Sequence, residues 1–281
     1  MSPRVSVVVP AFNNAAYIEE TINSILAQTF GDFELVIADH SSTDTTAQVI
    51  GRFAGHPKVR LLSTPAGGGA ARNWNRVTDA ATGEFIKLVC ADDLLYPTML
   101  ERQVAALDNA GEGAVAAASQ RDILDAAGRP MLRKQGLAGL SGVVDGRRAT
   151  RRSALVGTNI LGEPHCVLLR RAALVATGGW GDGRHSFLID QAAYARVLMT
   201  GDLVALPESL GAFRVSDTQW SVRLAKEQHR QAAEFHRQLA DEFHLLSPAE
   251  VRIADLRAHM RAWQRRTFYL VLRLRKVVGL G

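Results

Sequence analysis

Cysteine is scarce in this chain of 281 residues: Cys90 and Cys166 stand far apart and form no Cys-X-X-Cys spacing. This scarcity excludes a disulfide framework and the usual zinc signature, and it favours a reducing, cytoplasmic setting. Long apolar runs are also missing, since no segment approaches the roughly 20 residues that a membrane-spanning helix needs. The apolar run at residues 5–9 meets Pro10 after one strand length, so we expect no secretory signal.

Most of the chain lacks a net charge. Residues 1–221 hold 21 Lys and Arg against 22 Asp and Glu, whereas residues 222–281 hold 12 against 6, a net charge of +6. With 47% apolar and 22% charged residues, the composition is typical of a globular protein. The length suits one large α/β domain, or one domain with an appendage. The near-neutral larger part argues against nucleic acid as a partner.

Short apolar segments alternate with amphipathic ones in the first third of the chain. Apolar residues fill each segment without alternation, which is the pattern of strands buried on both faces. Strands that alternate with helices predict a parallel, doubly wound sheet with right-handed crossovers. The four predicted strands are residues 5–9, 33–38, 59–62 and 85–90. Residues 131–160 follow no pattern that predicts an element.

A polar segment follows each of these strands. Ligands of open α/β sheets bind beyond the carboxyl ends of the strands, so acids, glycines and Arg72 gather at one edge. The glycines at 67–69 form no GxGxxG motif, and no lysine completes a Walker loop. A nucleotidyltransferase would need a glycine-rich, basic loop directly after the first strand, which this chain lacks. The four segments are PAFNN at 10–14, ADHSSTD at 38–44, TPAGGGAARN at 64–73 and CADD at 90–93.

The stretches VSVVVPAFNN, ELVIADHSSTD, GGGAARNWN and GEFIKLVCADD carry these segments. Their order and spacing resemble those of the GT-A-fold glycosyltransferases of family 2, over roughly residues 4–221. The resemblance implies an α/β fold of the GT-A type, with a Rossmann-like, doubly wound and mostly parallel sheet. It divides the chain into a glycosyltransferase domain at residues 1–221 and a basic helical extension at residues 222–281. Within the domain, the nucleotide-binding half is about 1–112 and the acceptor half about 113–221.

The resemblance implies that the nucleotide of a sugar donor binds against the first polar segments. Asp39 would accept a hydrogen bond from the imide N–H of a uracil-type base, which favours a UDP-linked donor; its local alternative is an Asx turn. Arg72 stands just inside a helix that follows the glycines and would contact phosphate, or it is a surface charge. The family's second acid and glycine are missing at residues 40–41. The implied nucleotide-binding residues are Pro10, Phe12, Asn13, Asp39, Arg72 and Asp92.

Asp92 and Asp93 are adjacent carboxylates at the end of the fourth predicted strand. Two ionised carboxylates this close repel each other unless a cation or a proton lies between them. Mn²⁺ and Mg²⁺ prefer carboxylates together with phosphate oxygens and water. The resemblance therefore implies a divalent metal at Asp93 and the donor ribose at Asp92; the alternative is a helix cap beside a solvated acid. Cys90 replaces the family's leading acid, and Ser216 replaces a histidine ligand for which Asp217 is a candidate substitute.

The segment FLIDQAAYARVL at residues 187–198 resembles the family's Glu-Asp segment. Asp190 matches the catalytic aspartate, which would deprotonate the acceptor hydroxyl as general base; its alternative role is a helix cap. The family's Q-x-x-R-W motif does not follow, which favours transfer of one sugar over processive synthesis, and a single displacement would invert the anomeric carbon. A catalytically degenerate nucleotide-sugar-binding or partner protein is the alternative reading, because family residues are lost at Cys90, Ile189 and Ser216.

The acceptor pocket is implied by the segments at residues 162–171 and 178–186. Trp180 would stack on a sugar face and His165 would hydrogen-bond donor or acceptor, although a buried tryptophan and a structural histidine are common alternatives. The expected partners are a nucleotide-sugar donor and a glycan or lipid-linked acceptor, as in the synthesis of cell-envelope polysaccharide.

The last part of the chain predicts a long helix. Ser247, Pro248 and Glu250 form an N-cap, a first helical proline and a capping-box acid. Basic residues then interleave with aliphatic ones, which is typical of a helix on a membrane surface. Packing on its own domain or on a second subunit of a homodimer is the equally open alternative. The first reading implies a peripheral protein at the inner face of the plasma membrane.

Overall fold

The computed structural model describes residues 2–181, 186–215 and 228–277, with residues 268–277 described by their backbone. Ser216, Asp217 and the predicted boundary at 221/222 lie outside the described residues. The strands are β1 Val5–Ala11, β2 Phe33–Asp39, β3 Val59–Ser63, β4 Phe85–Leu88, β5 Leu94–Leu95, β6 Ala114–Leu124, β7 Pro130–Gln135, β8 Gly142–Val144, β9 Val167–Arg170 and β10 Asp202–Arg214. The helices are α1 Ile18–Leu26, α2 Thr46–Gly51, α3 Gly69–Asp79, α4 Met99–Ala110, α5 Gly146–Val156, α6 Arg171–Ala176, α7 Ile189–Leu198, α8 Gln228–Asp241 and α9 Pro248–Val277.

All described strands join one sheet in the order β3-β2-β1-β4-β9-β6-β10-β5, with β7 beside β6 and β8 beside β10. The four predicted strands form its parallel part, in which β1 pairs with both β2 and β4. β9 runs antiparallel to β4 and β6, and β6 is parallel to β10. The predicted α/β class is confirmed, and the antiparallel pairs belong to the second half, where strands and helices alternate less regularly.

The first strand explains why its sequence shows no alternation. Val7 and Val8 are both fully buried, but Val7 packs with Leu35 and Ile37 on one face of the sheet and Val8 with Val36 on the other. Helices therefore cover both faces of the parallel part, as a doubly wound sheet requires. The carboxyl ends of these strands are left for a binding site.

Residues 131–160, which the sequence left without a predicted element, form β7, β8, α5 and a short 3₁₀ helix at Leu137–Gly139. Asp145 caps α5, since its Oδ1 accepts the backbone N–H of Arg148 at 2.7 Å. This cap begins a helix whose buried face packs against α7 and α9.

The helices α8 and α9 pack on α5 and α7 and share a hydrophobic core with them. Phe235 and Leu239 of α8 are buried there beside Ala192 of α7 and Ala258 of α9. The predicted capping box is present, because Glu250 Oε2 accepts the N–H of Ser247 at 2.9 Å and Ser247 Oγ accepts the N–H of Glu250. In the part of the chain that the structure describes, no helix is both long enough and apolar enough to cross a bilayer.

Candidate active site

A cavity of about 1280 Å³ opens at the carboxyl edge of the parallel strands. It extends from the loop after β1 to the first turn of α7 and on to helices α8 and α9. Among the predicted site residues, six border this cavity: Pro10, Phe12, Asn13, Asp92, Asp93 and Asp190. Residues from two distant parts of the sequence therefore face one space large enough for a nucleotide and a second substrate.

The loop after β1 forms one end of the cavity. Phe12 is exposed there and lies edge-on to the ring of His40, with 6.0 Å between the ring centroids. The backbone N–H of Asn13 donates to Ser42 Oγ at 2.9 Å, and Asn13 Oδ1 accepts the N–H of Thr43 at 2.8 Å. These bonds tie the loops after β1 and β2 together. His40 borders the cavity, although the sequence predicts no role for this residue.

Asp39 ends β2 with one oxygen used and one oxygen unsatisfied. Its Oδ2 accepts the backbone N–H of Ser42 at 3.2 Å, which is the local turn expected as the alternative. Its Oδ1 is buried and has no hydrogen-bond partner among the described residues. A buried acceptor without a donor costs free energy, so an N–H group of a ligand would be stabilised there. The turn therefore leaves one oxygen of Asp39 without a donor, although Asp39 is not among the described residues that line the cavity.

The glycine segment forms a left-handed turn before α3. Gly67, Gly68 and Gly69 have φ of 87°, 76° and 63°, a region that side chains other than glycine rarely adopt. Arg72 Nη1 donates back to the carbonyl of Ala66 at 3.1 Å, and its side chain is exposed. Asn73 is buried and donates to the carbonyl of Ala38 at 3.1 Å, so it fixes the segment to β2. Arg72 does not border the cavity among its described lining residues.

Asp92 and Asp93 have different surroundings although they are adjacent. Asp93 is fully buried: its Oδ2 contacts Nδ1 of His165 at 2.9 Å and its Oδ1 accepts the N–H of Arg214 at 3.3 Å. Asp92 is partly exposed at the cavity. Burial raises the pKa of Asp93, which the neighbouring His165 opposes. The contacts of Asp93 are therefore made inside the protein, whereas Asp92 is partly exposed to the cavity.

This pairing does not fit the predicted metal role of Asp93, because both of its oxygens already contact donors of the protein. Among the described residues, no group of three or more His, Cys, Asp or Glu side chains is arranged to hold a metal ion. Both carboxylates border the cavity, and Asp92 is the more exposed of the two.

His165 and Trp180 lie beneath the cavity rather than in it. His165 is fully buried, and although burial lowers its pKa, the charges beside it, that of Asp93 among them, raise the pKa to about 10. Trp180 is 3% exposed, and its Nε1 donates to Thr78 Oγ1 at 2.7 Å while its ring packs edge-on against Trp74. The predicted contact of His165 with a substrate and the predicted stacking of Trp180 are therefore corrected: both side chains support the floor of the site.

Asp190 lies in the first turn of α7 and borders the cavity. The N-cap of this helix is Leu188, so Asp190 is not the cap that the alternative expected. Burial raises the pKa of Asp190 to about 7. The backbone N–H of Gln191 opposes this rise, and the charge of Glu163 adds to it. Asn159 Nδ2 donates to Asp190 Oδ2 at 2.8 Å and fixes the carboxylate. A carboxylate with a pKa near neutrality suits a general base.

Several lining residues had no signal in the sequence. Arg121 and Glu163 form an ion pair at the cavity with 2.7 Å between Nε and Oε2; burial opposes the charge of Glu163, but Arg121 lowers its pKa. These residues are 42 positions apart, so only the pairing of β6 with the strand after Glu163 brings them together. The helical extension also contributes to the lining, through Phe235, His236, Arg261, Gln264 and Arg265.

Comparisons with known proteins agree with this geometry. Residues 6–176 match the family model described as glycosyl transferase family 2. The putative glycosyltransferase EpsE of Bacillus subtilis (strain 168) is 34% identical over 108 residues, which are 38% of this chain and 39% of EpsE. Two solved structures share the fold. S. aureus TarS 1-349 in complex with UDP-GlcNAc gives a TM-score of 0.66 at 18% identity, covering 86% of this chain and 67% of that one. The mannosyltransferase PcManGT from Pyrobaculum calidifontis in complex with GDP-Man and Mn²⁺ gives a TM-score of 0.62 at 19% identity, covering 100% of this chain and 81% of that one.

The chain belongs to glycosyl transferase family 2, since the family model matches more than half of its length. Its fold is that of the GT-A glycosyltransferases, with a helical C-terminal part. The expectation drawn from the sequence is thereby confirmed at the level of family and fold. The matched segment spans less than half of EpsE, so donor, acceptor and reaction are matters of proposal.

Proposed function

We propose that the protein transfers a single sugar from a UDP-sugar to an acceptor hydroxyl, with inversion at the anomeric carbon. The observation that carries this proposal is Asp190: a carboxylate that borders the cavity, is held by Asn159 and has a pKa of about 7. A base with this pKa is ionised in a large fraction of molecules at neutral pH and still takes up a proton readily.

The donor half is the end of the cavity formed by the loops after β1 and β2. The unsatisfied Oδ1 of Asp39 supports recognition of a base that presents an N–H group, as the imide of uracil does. Pro10, Phe12 and Asn13 line the same end, and the exposed ring of Phe12 suits stacking on a base. Arg72 lies after the glycine turn, where a diphosphate would meet backbone N–H groups and a positive charge.

A divalent cation fits this site through Asp92 together with the donor. Mg²⁺ and Mn²⁺ are commonly held by one or two carboxylates plus phosphate oxygens and water, so the partly exposed Asp92 suffices as the protein ligand. When bound, such an ion stabilises the negative charge of the leaving diphosphate. Asp93 instead acts from inside the protein, where its contacts with His165 and with the N–H of Arg214 hold the end of β4 in place.

The sugar is transferred in a single displacement at the anomeric carbon. The acceptor oxygen attacks the anomeric carbon from the face opposite the diphosphate, its proton passes to an oxygen of Asp190, and the bond between the sugar and the diphosphate breaks. Asn159 orients the carboxylate through Oδ2, and an oxygen of the same carboxylate would accept the proton of the acceptor hydroxyl. The Arg121–Glu163 pair borders the same space, and the charge of Glu163 helps to raise the pKa of Asp190. A glycan or lipid-linked acceptor would occupy the remaining volume towards α8 and α9.

The test is calorimetric titration of the purified protein with UDP, GDP and dTDP, each with Mn²⁺, Mg²⁺ or EDTA. We expect UDP to bind most tightly and Asp39→Ala to weaken UDP binding at least tenfold, while the surface variant Asp79→Asn binds as the unchanged protein does. Slow hydrolysis of UDP-sugars, with water as acceptor, then identifies the sugar. Binding without any hydrolysis or transfer would favour the degenerate nucleotide-sugar-binding protein, and no binding of any nucleoside diphosphate would refute both.

A further inference from the structure

The long helix α9 exposes a row of large apolar side chains. Ile253, Leu256, Met260 and Trp263 are 43%, 62%, 53% and 66% exposed, and we call these four residues the outer stripe. Their spacing of three and four residues places them on one face of the helix. Four other large apolar residues are comparably exposed among the described residues, and they come from separate elements: Phe12, Leu132, Val143 and Val175. The outer stripe is therefore a contiguous surface rather than scattered exposure.

The opposite face of α9 fixes the helix to the protein. Ala254, Ala258 and Ala262 are buried at spacings of four residues, and two of them belong to the core shared with α5, α7 and α8. Arg257 donates from Nη1 to the carbonyl of Leu155 at 2.5 Å. Small residues thus make the intramolecular contact, while the large apolar residues point away from the protein. A helix stabilised only by its own domain would have the reverse arrangement.

Positive charge dominates around the outer stripe, where Asp255, which contacts Nδ1 of His236 at 2.7 Å, is the one acid from residue 252 to residue 281. From residue 256 to residue 281 the chain holds seven Lys and Arg and no Asp or Glu. In the sequence, Leu270 follows Trp263 after seven residues, which is about two helical turns, and Leu274 follows four residues later. The exposed Arg252 and Arg266 lie one residue before Ile253 and three after Trp263, so cations adjoin both ends of the stripe. An apolar row beside arginines, with a tryptophan, is the pattern of a helix that lies in a membrane interface.

We propose that α9 docks on an anionic lipid surface, with the outer stripe in the boundary between headgroups and acyl chains. The arginines would contact lipid phosphates while their aliphatic parts cover the edge of the stripe. A second copy of this chain is a poorer occupant, because a two-fold interface would bring the two cationic segments together without acidic partners. A nucleic acid would leave the aliphatic residues in water. The helix that docks also lines the cavity through Arg261 and Arg265, so the acceptor end of the site would lie close to the membrane.

The test is flotation of the full chain with vesicles of phosphatidylcholine alone and with phosphatidylglycerol added. We expect binding to the anionic vesicles only, partial release by high salt, and a blue shift of tryptophan emission on binding. The double variant Leu256→Ser/Trp263→Ser should lower the partition at least tenfold, since two large apolar side chains no longer enter the interface. The matched double variant Leu132→Ser/Val175→Ser removes apolar residues of similar exposure elsewhere and should bind as the unchanged protein does.

Four results would overturn the proposal. Two concern flotation: none of the unchanged protein, or equal flotation of both double variants. The other two are a dimer in sedimentation, or retention on nucleic acid, that Leu256→Ser/Trp263→Ser alone abolishes. UDP titration of the same preparations separates this inference from the proposed function. Nucleotide binding without flotation refutes the membrane surface alone, and flotation without nucleotide binding refutes the transferase alone. Thermal melting confirms that each variant is folded.

Discussion

The two ends of the cavity are built by different physical means. At the nucleotide end, each polar segment follows a strand of the parallel sheet, so backbone hydrogen bonds between strands fix its position. At the far end, α8 and α9 contribute side chains through helix packing, with alanines at the contacts. The first end depends on strand register and the second on the fit of helices against α5 and α7. We therefore expect changes at one end to leave the other intact.

The two regions also differ in charge and in exposed apolar surface. Residues 1–221 are nearly neutral, whereas residues 222–281 carry a net charge of +6. The outer stripe belongs to the second region alone. In the two proposals above, the parallel sheet binds the donor and the helices α8 and α9 hold the protein at a lipid surface. Asp190 lies between these two parts. The variants below test this division, beginning with the largest expected effect.

Asp190→Asn should reduce the rate of UDP-sugar hydrolysis and of transfer by about 10²–10⁴-fold, because the amide cannot take up the acceptor proton. UDP affinity should stay within about twofold, since the proposed partner of Asp190 is the acceptor hydroxyl and not the nucleotide. Rates from product chromatography and affinities from calorimetry measure the two effects. Asp79→Asn, on the exposed end of α3, is the control for loss of a carboxylate. A rate within tenfold of the unchanged protein would remove Asp190 from the role of base.

The adjacent carboxylates separate stability from binding. Asp93→Ala removes the partner of a buried histidine and should lower the free energy of unfolding by roughly 3–5 kcal/mol. Asp92→Ala should lower that free energy less, because Asp92 is partly exposed, but it should weaken metal-dependent UDP binding at least tenfold. Urea denaturation and calorimetry give the two quantities. If Asp92→Ala binds UDP normally with Mn²⁺ while a still-folded Asp93 variant does not, the original assignment of the metal to Asp93 is restored.

Asp92 and Asp93 also show how much of the site can be predicted from the sequence. The strands, the glycine turn and the acids at the strand ends were predictable, because a buried parallel strand fixes where the next polar residue emerges. The different surroundings of Asp92 and Asp93 could not be predicted, since His165 lies 72 positions from Asp93 and only the fold brings them together. Trp180 was misassigned for the same reason: its partners Trp74 and Thr78 lie about a hundred positions away. The contribution of α8 and α9 to the cavity left no motif at all.

Gly157→Ala tests the contact between the end of α5 and α9 of the second region. Gly157 has φ of 74°, and an added Cβ would lie 2.6 Å from the backbone of Arg257 and Ala258 in α9. Backbone atoms cannot give way as a flexible side chain can, so we expect a loss of about 1–3 kcal/mol in the free energy of unfolding. UDP affinity should not change. Gly31→Ala, with no atom within 4 Å of the added Cβ, is the matched control. Loss of UDP binding in Gly157→Ala alone would mean that the two ends are coupled.

The pH dependence of the rate tests how Asp190 joins the two regions. Its raised pKa of about 7 means that the carboxylate is protonated, and inactive as a base, at acidic pH. Activity should therefore rise with pH up to about pH 7 and level off above it, with a loss of about tenfold for each unit below. The hydrogen bond from Asn159 stabilises the carboxylate and lowers its pKa. Asn159→Ala should consequently move the rising limb to higher pH and leave UDP affinity unchanged, whereas Asn75→Ala, whose amide bonds near Trp180, should not move it. An unchanged limb in Asn159→Ala would show that another group sets the limb, and the assignment of the base would then rest on Asp190→Asn alone.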